Sequence, residues 1–277
     1  MSNHSEKAAA ALQVIPRSDH NISRANISKA AVKVLYRLKE GGYQAYLVGG
    51  SVRDLLLDRH PKDFDVATDA TPEEVAGLFN NARLIGRRFR IAHVRFGREI
   101  IEVATLRSAA NSDDDDHSVA EGSGRVLRDN VWGTIEDDVW RRDLTANALY
   151  YDIRDFSIRD YVGGVEDIRA GRLRVLGDPE QRYREDPVRM LRSARFAAKL
   201  GFAMDPASAE PINRLAGLLD NIPPARLFDE FGKLFQSGHA AASWEQLQHF
   251  DLVRHLFPPT ARWLAADADG TRARFVT

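Results

Sequence analysis

Apolar residues recur three and four positions apart through "ISKAAVKVLYRLKEGGY", Ile27 to Tyr43, a stretch that starts after a serine and stops at Gly41-Gly42. That spacing predicts a helix with one buried stripe. The apolar run "QAYLVGG" predicts a buried strand, "SVRDLLLD" a short helix opened by the glycine pair, and "KDFDVATD" a second strand. "TPEEVAGLFNN" predicts a helix, with Thr71 as its cap, Pro72 at its first position and acids in the first turn. "ARLIG", "IAHVRF" and "REIIEVATLR" predict three more strands, and the polar, acidic "SAANSDDDDHSVAEGSGR" a loop without core-forming residues. "TIEDDVWRRDLTANALYYDI" is expected to be a helix running into "SIRDYVGG". From "VEDIRAG" onward strand signals thin out. "DPVRMLRSARFAAKLGF", "SAEPINRLAGLLDNI", "PARLFDEFGKLF" and "AASWEQLQHFDLVRHLF" predict successive helices. The expected class is α+β: a flexible segment over 1–26, a head of mixed sheet and flanking helices over 27–165, and an all-helical part over 166–277.

Composition narrows the chemistry. The chain has 277 residues, of which 44% are hydrophobic, enough for two units with real cores. It contains no cysteine, which excludes disulfides, thiolate metal sites and a cysteine nucleophile. No apolar run approaches the roughly 20 residues of a membrane helix. The N-terminus lacks the pattern of a secretory signal, so a cytoplasmic location is expected. A formal net charge of −1 does not by itself suggest nucleic acid. Local charge does: "RLIGRRFRIAHVRFGREIIEVATLR", Arg83 to Arg107, is dense in arginine and has no lysine. It reads either as a solvated hairpin face or as a phosphate-tracking surface bearing Arg87, Arg88 and Arg90.

The candidate chemistry begins at Gly49-Gly50. A glycine pair between a strand and a helix is compatible with a simple turn, and also with close approach of backbone N–H groups to a phosphate. Arg53 lies one turn on, where it can reach the same anion. Asp63 and Asp65 flank Phe64, and on a strand they point the same way. Two like charges side by side repel unless a cation lies between them, and oxygen donors suit Mg²⁺. The alternative is a solvated edge strand, against which the apolar neighbours argue. In "RRDLTANALYY", Asp143 and Asn147 share a face if the segment is helical, with Arg142 beside it. These residues suit a third ligand or base, a ribose contact and a triphosphate contact; plain surface polarity is the other reading. In "EDPVRMLRSARF", Asp186, Arg189 and Arg192 follow one another at helical spacing and are expected near one ligand. Arg195 drifts to the far side and is expected to be structural.

These motifs, in this order, resemble those of the class II nucleotidyltransferases, the family of bacterial poly(A) polymerases and CCA-adding tRNA nucleotidyltransferases. The resemblance runs from about Ala45 to Phe202. "LIGRRFRIAHVRFG", the upstream "VIPRSDHNISRANISKAAVKVLYRL" and "NIPPARLFDEFGKLF" resemble the poly(A) polymerase branch in particular. The resemblance implies a nucleotidyltransferase head and transfer of AMP from ATP to an RNA 3′-hydroxyl with release of pyrophosphate. It implies two Mg²⁺ ions on Asp63 and Asp65, with Asp143 completing the acidic set and Glu102 either an adjacent acid or a structural strand residue. It also implies that Asp186 and Arg189 read the adenine edge, where an ordinary intrahelical ion pair would contribute only about 0.3–0.5 kcal/mol. Relatives of this branch are longer, so the chain is expected to be truncated or to be a shortened relative. CCA addition, and a decayed, non-catalytic RNA-binding protein, are the alternative readings.

Overall fold

The computed structural model describes residues 12–86, 90–108 and 132–266. The chain divides into two compact units, Met1–Ile168 and Arg169–Thr277.

In the first unit the chain runs β1 (Gln13–Ile15), α1 (Lys29–Glu40), β2 (Ala45–Val48), α2 (Gly50–Leu56), β3 (Asp65–Thr68) and α3 (Pro72–Leu78). It continues through β4 (Ala82–Ile85), β5 (Ile91–Phe96), β6 (Glu99–Thr105), α4 (Ile135–Trp140), β7 (Leu149–Asp152), β8 (Ile158–Asp160) and α5 (Gly164–Arg169). The strands form one sheet in the order β1-β8-β7-β2-β3-β6-β5-β4. Only β3 and β6 pair in parallel; the other neighbours are antiparallel.

Helix α1 forms as its spacing predicts. Ser28 caps it by accepting from the Ala31 N–H, and Ala31, Val34, Leu35 and Leu38 turn inward. It packs against β2, β3 and β6, while α3 packs against β4, β5 and β6. Thr71 and Glu74 close a reciprocal capping box at the start of α3. Beneath these helices lie Val66, Ala92, Val94, Ile101 and Val103, each no more than 1% exposed. The opposite sheet face carries a register row of polar residues: Asp65 beside Glu102, Glu102 beside His93, and His93 beside Arg83. Hydrophobic alternation thus sets which face is covered and leaves the acids on the other.

Two expectations fail in this unit. Residues 12–26 are not loose. Strand β1 pairs with β8, Ile22 is fully buried, and Asn21 donates to Asp58 Oδ1 and to the carbonyls of Leu55 and Leu56. The partners of this polar-looking segment lie far along the chain, where no local pattern shows them. The second failure is the long helix over 134–153. Helix α4 ends at Trp140, a 3₁₀ turn spans Thr145–Asn147, and "LYYD" becomes β7 between β2 and β8. All four residues of β7 are buried, and a continuous apolar run does not distinguish a helix from a central strand.

The second unit carries β9 (Arg172–Leu173), α6 (Pro179–Glu185), α7 (Val188–Leu200), β10 (Ala203–Met204), α8 (Pro206–Leu215) and α9 (Pro224–Phe235). It ends with α10 (Ala240–His249), α11 (Val253–Leu256) and α12 (Pro258–Ala265). Apart from the short parallel pair β9–β10, this unit is helical among the described residues. No helix among the described residues is long and apolar enough to cross a membrane.

Candidate active site

The turn between β2 and α2 depends on glycine. Gly49 has φ 69° and ψ −133°, a conformation that residues with a Cβ avoid. A Cβ there would meet Arg142 Nη1 at 3.3 Å. Arg142 therefore packs directly against the turn. Its Nε donates to Tyr150 Oη at 2.8 Å, its Nη2 to Asp138 Oδ2 at 3.0 Å and its Nη1 to the Asn147 carbonyl at 3.1 Å. Tyr150 Oη in turn donates to Asp138 Oδ2 at 2.7 Å. Burial works against the Arg142 charge, but Tyr150 and Asp138 outweigh it and hold the guanidinium more firmly protonated.

Arg53 is engaged inside the fold. It is 2% exposed and lies beneath the glycine pair; its Nε and Nη2 donate to Asp54 Oδ1, and its Nη1 to Asn147 Oδ1. A buried guanidinium needs such partners, and both are supplied from within the fold. Arg53 thus anchors Asn147, whose Nδ2 reaches Asp143 Oδ1 at 3.5 Å. Asp143 and Asn147 do meet, but across a turn and a 3₁₀ segment rather than on one helix face.

The two aspartates differ in environment. Asp65 opens β3 and is half-buried, whereas Asp63 precedes the strand and is exposed despite its apolar neighbours. Their charges nevertheless interact. Burial first, and then Glu102 and Asp63, push the Asp65 carboxyl up to about 6 against the opposing charge of Arg142. Glu102 stands beside Asp65 in the parallel register and contacts His93 Nε2 at 3.4 Å. Among the described residues no three acidic or imidazole side chains converge into a metal-binding group, so Asp143 does not close a triad with Asp63 and Asp65. It is held instead in the turn beyond α4. The donors near Asp65 are hard oxygens crowded by like charge, a state that a divalent cation relieves, so the residues present fit Mg²⁺.

In the helical unit, Asp186 and Arg189 are not partners on one helix. Asp186 lies between α6 and α7 with φ −147° and ψ 93°, as expected for a residue preceding proline. Its Oδ2 accepts from Arg226 Nη2 at 2.7 Å and its Oδ1 from the Val188 N–H at 3.2 Å. Arg189 Nη1 donates to the Arg182 carbonyl and to Glu185 Oε2. Arg192 is half-buried on α7. Arg195 approaches Glu230 at 3.5 Å and lies over the Phe196 ring. Of the arginine-rich segment, Arg87 and Arg88 lie outside the described residues, and Arg90 pairs with Glu73 at 2.7 Å.

Sequence reasoning overlooked Asp54, Asp138, Tyr150 and Arg226. The spacing of four between Asp138 and Arg142 was a usable signal. Arg226, forty positions from Asp186, had none.

A glycine turn beside Asp65 on a mixed sheet, followed by a helical unit, is the architecture of the nucleotidyltransferase fold. Residues 45–174 match the family model described as "Poly A polymerase head domain", and residues 201–264 match "Probable RNA and SrmB- binding site of polymerase A". The chain belongs to the family of poly(A) polymerases and CCA-adding nucleotidyltransferases. It is 54% identical over 96% of its length to poly(A) polymerase I of Salmonella typhi, covering 57% of that protein. It is 53% identical over 99% of its length to poly(A) polymerase I of Escherichia coli O157:H7, covering 60% of it. Identity to the CCA-adding enzyme of Lactobacillus helveticus is 37% over 78% of this chain and 52% of that one. Among solved structures, the Bacillus stearothermophilus CCA-adding enzyme in complex with CTP aligns with a TM-score of 0.69 and 35% identity. That alignment covers 83% of this chain and 53% of the other. The chain thus spans about three-fifths of the length of the poly(A) polymerases it matches.

Proposed function

We propose that this chain is a template-independent adenylyltransferase, transferring AMP from ATP to an RNA 3′-hydroxyl and releasing pyrophosphate. The observation that carries this reading is the crowded acid site. Asp65 is pushed up to about 6 by burial, Glu102 and Asp63, beside a turn that only glycine can make. Such crowding has little structural use and suits a cation-dependent reaction at phosphate. Asp63 and Asp65 are the residues that would hold Mg²⁺. When bound, Mg²⁺ lowers the pKa of the attacking hydroxyl and neutralises the triphosphate. Gly49 and Gly50 leave room for the triphosphate, and Arg142 lends positive charge at the same turn. Asp143, held by Asn147, serves as a hydrogen-bond acceptor for a ribose hydroxyl. The RNA end is itself the nucleophile, so no covalent enzyme intermediate is needed.

The choice of ATP falls to the helical unit. Adenine offers its 6-amino group as donor and N1 as acceptor; Asp186 can accept and Arg189 can donate. Arg192 contributes charge without reading the base. The poly(A) reading is favoured over CCA addition by the higher identity to poly(A) polymerase I. Cytoplasmic RNA is the expected partner.

The test offers ATP, CTP, GTP and UTP singly, with Mg²⁺, to an oligo(A) primer and to tRNA lacking its CCA end. ATP addition to oligo(A), lost in Asp63→Ala and Asp65→Ala, is expected. CTP addition to the truncated tRNA would establish the CCA-adding alternative. No incorporation of any nucleotide would leave only RNA binding.

A further inference from the structure

The helix-covered face of the head sheet holds an open cavity of about 410 Å³, whose residues have no part in the acid site. Lys33, Tyr36, Arg37 and Glu40 of α1 form one wall, and Phe79, Asn81 and Phe96 the other. Phe96 follows Ala92 and Val94 at strand spacing, so it lies on the face opposite Asp65, Glu102 and His93. Two aromatic rings are left half-buried here, Tyr36 and Phe96. Tyr36 is held in place: its Oη accepts from Arg24 Nη1 at 2.8 Å, and the Arg24 guanidinium lies over the Phe156 ring.

Charge runs along the same wall. Lys29, Lys33 and Arg37 follow one another at intervals of four, along about 12 Å of α1. All three are exposed, and among the described residues none pairs with a carboxylate. The only acid of α1, Glu40, lines the cavity instead. In a chain of net charge −1, such a stripe is not part of a general basicity.

A row of cations takes a run of anions, and exposed rings take a planar group. The two together fit single-stranded nucleic acid, whose phosphates repeat along the strand while its bases stack. An acidic polypeptide fits less well, because its carboxylates would meet Glu40. A base meets the same wall favourably. Glu40 accepts from an exocyclic amine, and Asn81, whose Nδ2 donates to the Arg95 carbonyl at 2.6 Å, keeps its Oδ1 as a second acceptor.

We propose that the outer face of α1, with Phe79, Asn81 and Phe96, is a further RNA site that grips the strand upstream of its 3′ end. Phosphates lie on Lys29, Lys33 and Arg37, and a base lies against the Tyr36 and Phe96 rings. This rests on the reading of the chain as an enzyme acting on RNA. The site is on the sheet face away from Asp65, so only a strand long enough to pass round the head reaches both. It gives affinity for long RNA and leaves the chemistry untouched.

The experiment uses the 277-residue chain with oligo(A) of about 6 nucleotides, the size of one single-strand site, and of about 40. Fluorescence anisotropy across a salt series measures binding, and extension with ATP and Mg²⁺ measures activity. The proteins are wild type, the triple variant Lys29→Ala/Lys33→Ala/Arg37→Ala, and Phe96→Leu, with thermal melts alongside. Each single-strand phosphate contact contributes about 0.7 to the slope of log affinity against log salt, so the triple variant should lose about 2 from the slope for the long RNA. At about 0.1 M salt that is binding weaker by up to about 100-fold. KM for the long primer should rise with it, while kcat and extension of the short primer stay within about twofold of wild type. Phe96→Leu keeps apolar bulk but removes the ring. It should weaken long-RNA binding by about fivefold or more at an unchanged slope, as losing one stacked base does. If Phe96→Leu melts early, Tyr36→Leu takes its place with the same expectation. A slope loss below about 1 in the triple variant, or an equal loss of short- and long-primer extension, overturns the site. A flattened slope with unchanged binding in the ring variant overturns the seating of a base. Displacement of the long RNA by poly(glutamate) as effective as that by oligo(A) overturns RNA as the occupant. A wild type that neither binds nor extends RNA removes the functional reading and this site together, whereas extension by wild type with an unmoved slope in the triple variant removes this site alone.

Discussion

Asp65→Asn isolates the electrostatics of the acid site, because it removes a charge while keeping the shape. In the folded chain the Asp65 carboxyl rises from 3.8 to about 6, through burial first and then Glu102 and Asp63. An acid with a raised pKa binds its proton more tightly in the folded than in the unfolded chain. Its contribution to stability therefore falls as pH rises from 3.8 to about 6, and the whole penalty remains above that. The difference corresponds to about 3 kcal/mol, an upper bound for a half-buried group. Urea unfolding followed by circular dichroism in EDTA, at about pH 4 and about pH 8, measures it. The two proteins should differ by less than about 1 kcal/mol at the lower pH, where the aspartate is largely protonated in the folded state. At the higher pH Asp65→Asn should be the more stable, by up to about 3 kcal/mol. Adding Mg²⁺ at the higher pH should narrow the gap, since a cation that binds the folded wild type stabilises it. An asparagine variant equal to or weaker than wild type at about pH 8, or a gap independent of pH, would refute the reasoning.

Gly49→Ala should cost about 1–3 kcal/mol and lower ATP incorporation, because alanine is strained at this φ and ψ and its Cβ presses on Arg142; a thermal melt and a single-turnover assay check both. Asn21→Ala deletes contacts to Asp58, Leu55 and Leu56. It should destabilise the end of α2 by about 1 kcal/mol and speed amide exchange there and across residues 12–27; unchanged exchange would show that the segment is held by β1 alone. Replacing Arg87, Arg88 and Arg90 together by alanine should weaken RNA binding and flatten its salt dependence. An unchanged slope would identify the segment as a solvated face.

Much of the head was legible in the sequence because its signals are local. Ser28 and Thr71 cap their helices through N–H groups three residues on, and β2 to β6 follow from apolar runs punctuated by glycine and asparagine. The glycine pair followed by Asp63 and Asp65 marked a candidate site through like charges set close together in a chain with no thiolate to offer. The helical character of the second unit was also plain, but α6 and α12 were not foreseen, and the single helices expected over "SAEPINRLAGLLDNI" and "AASWEQLQHFDLVRHLF" break into α8 with a 3₁₀ segment and into α10 and α11.

What the sequence could not contain is the pairing of distant groups. Arg53 and Arg142 look alike as candidates for phosphate, yet Arg53 is buried against Asp54 and Asn147, while Arg142 stands at the turn through Tyr150 and Asp138. Asp143 looked like a third ligand until the chain left its helix at Trp140, because burial on both sheet faces made a strand of "LYYD". Asp186 seemed to pair with Arg189 three positions away, but Pro187 turns the backbone and delivers the carboxylate to Arg226. Residue types and spacing therefore determined which chemistry this protein can carry. Tertiary structure decided which charges remain available for it, because a buried charge must find its partner wherever in the chain packing places one.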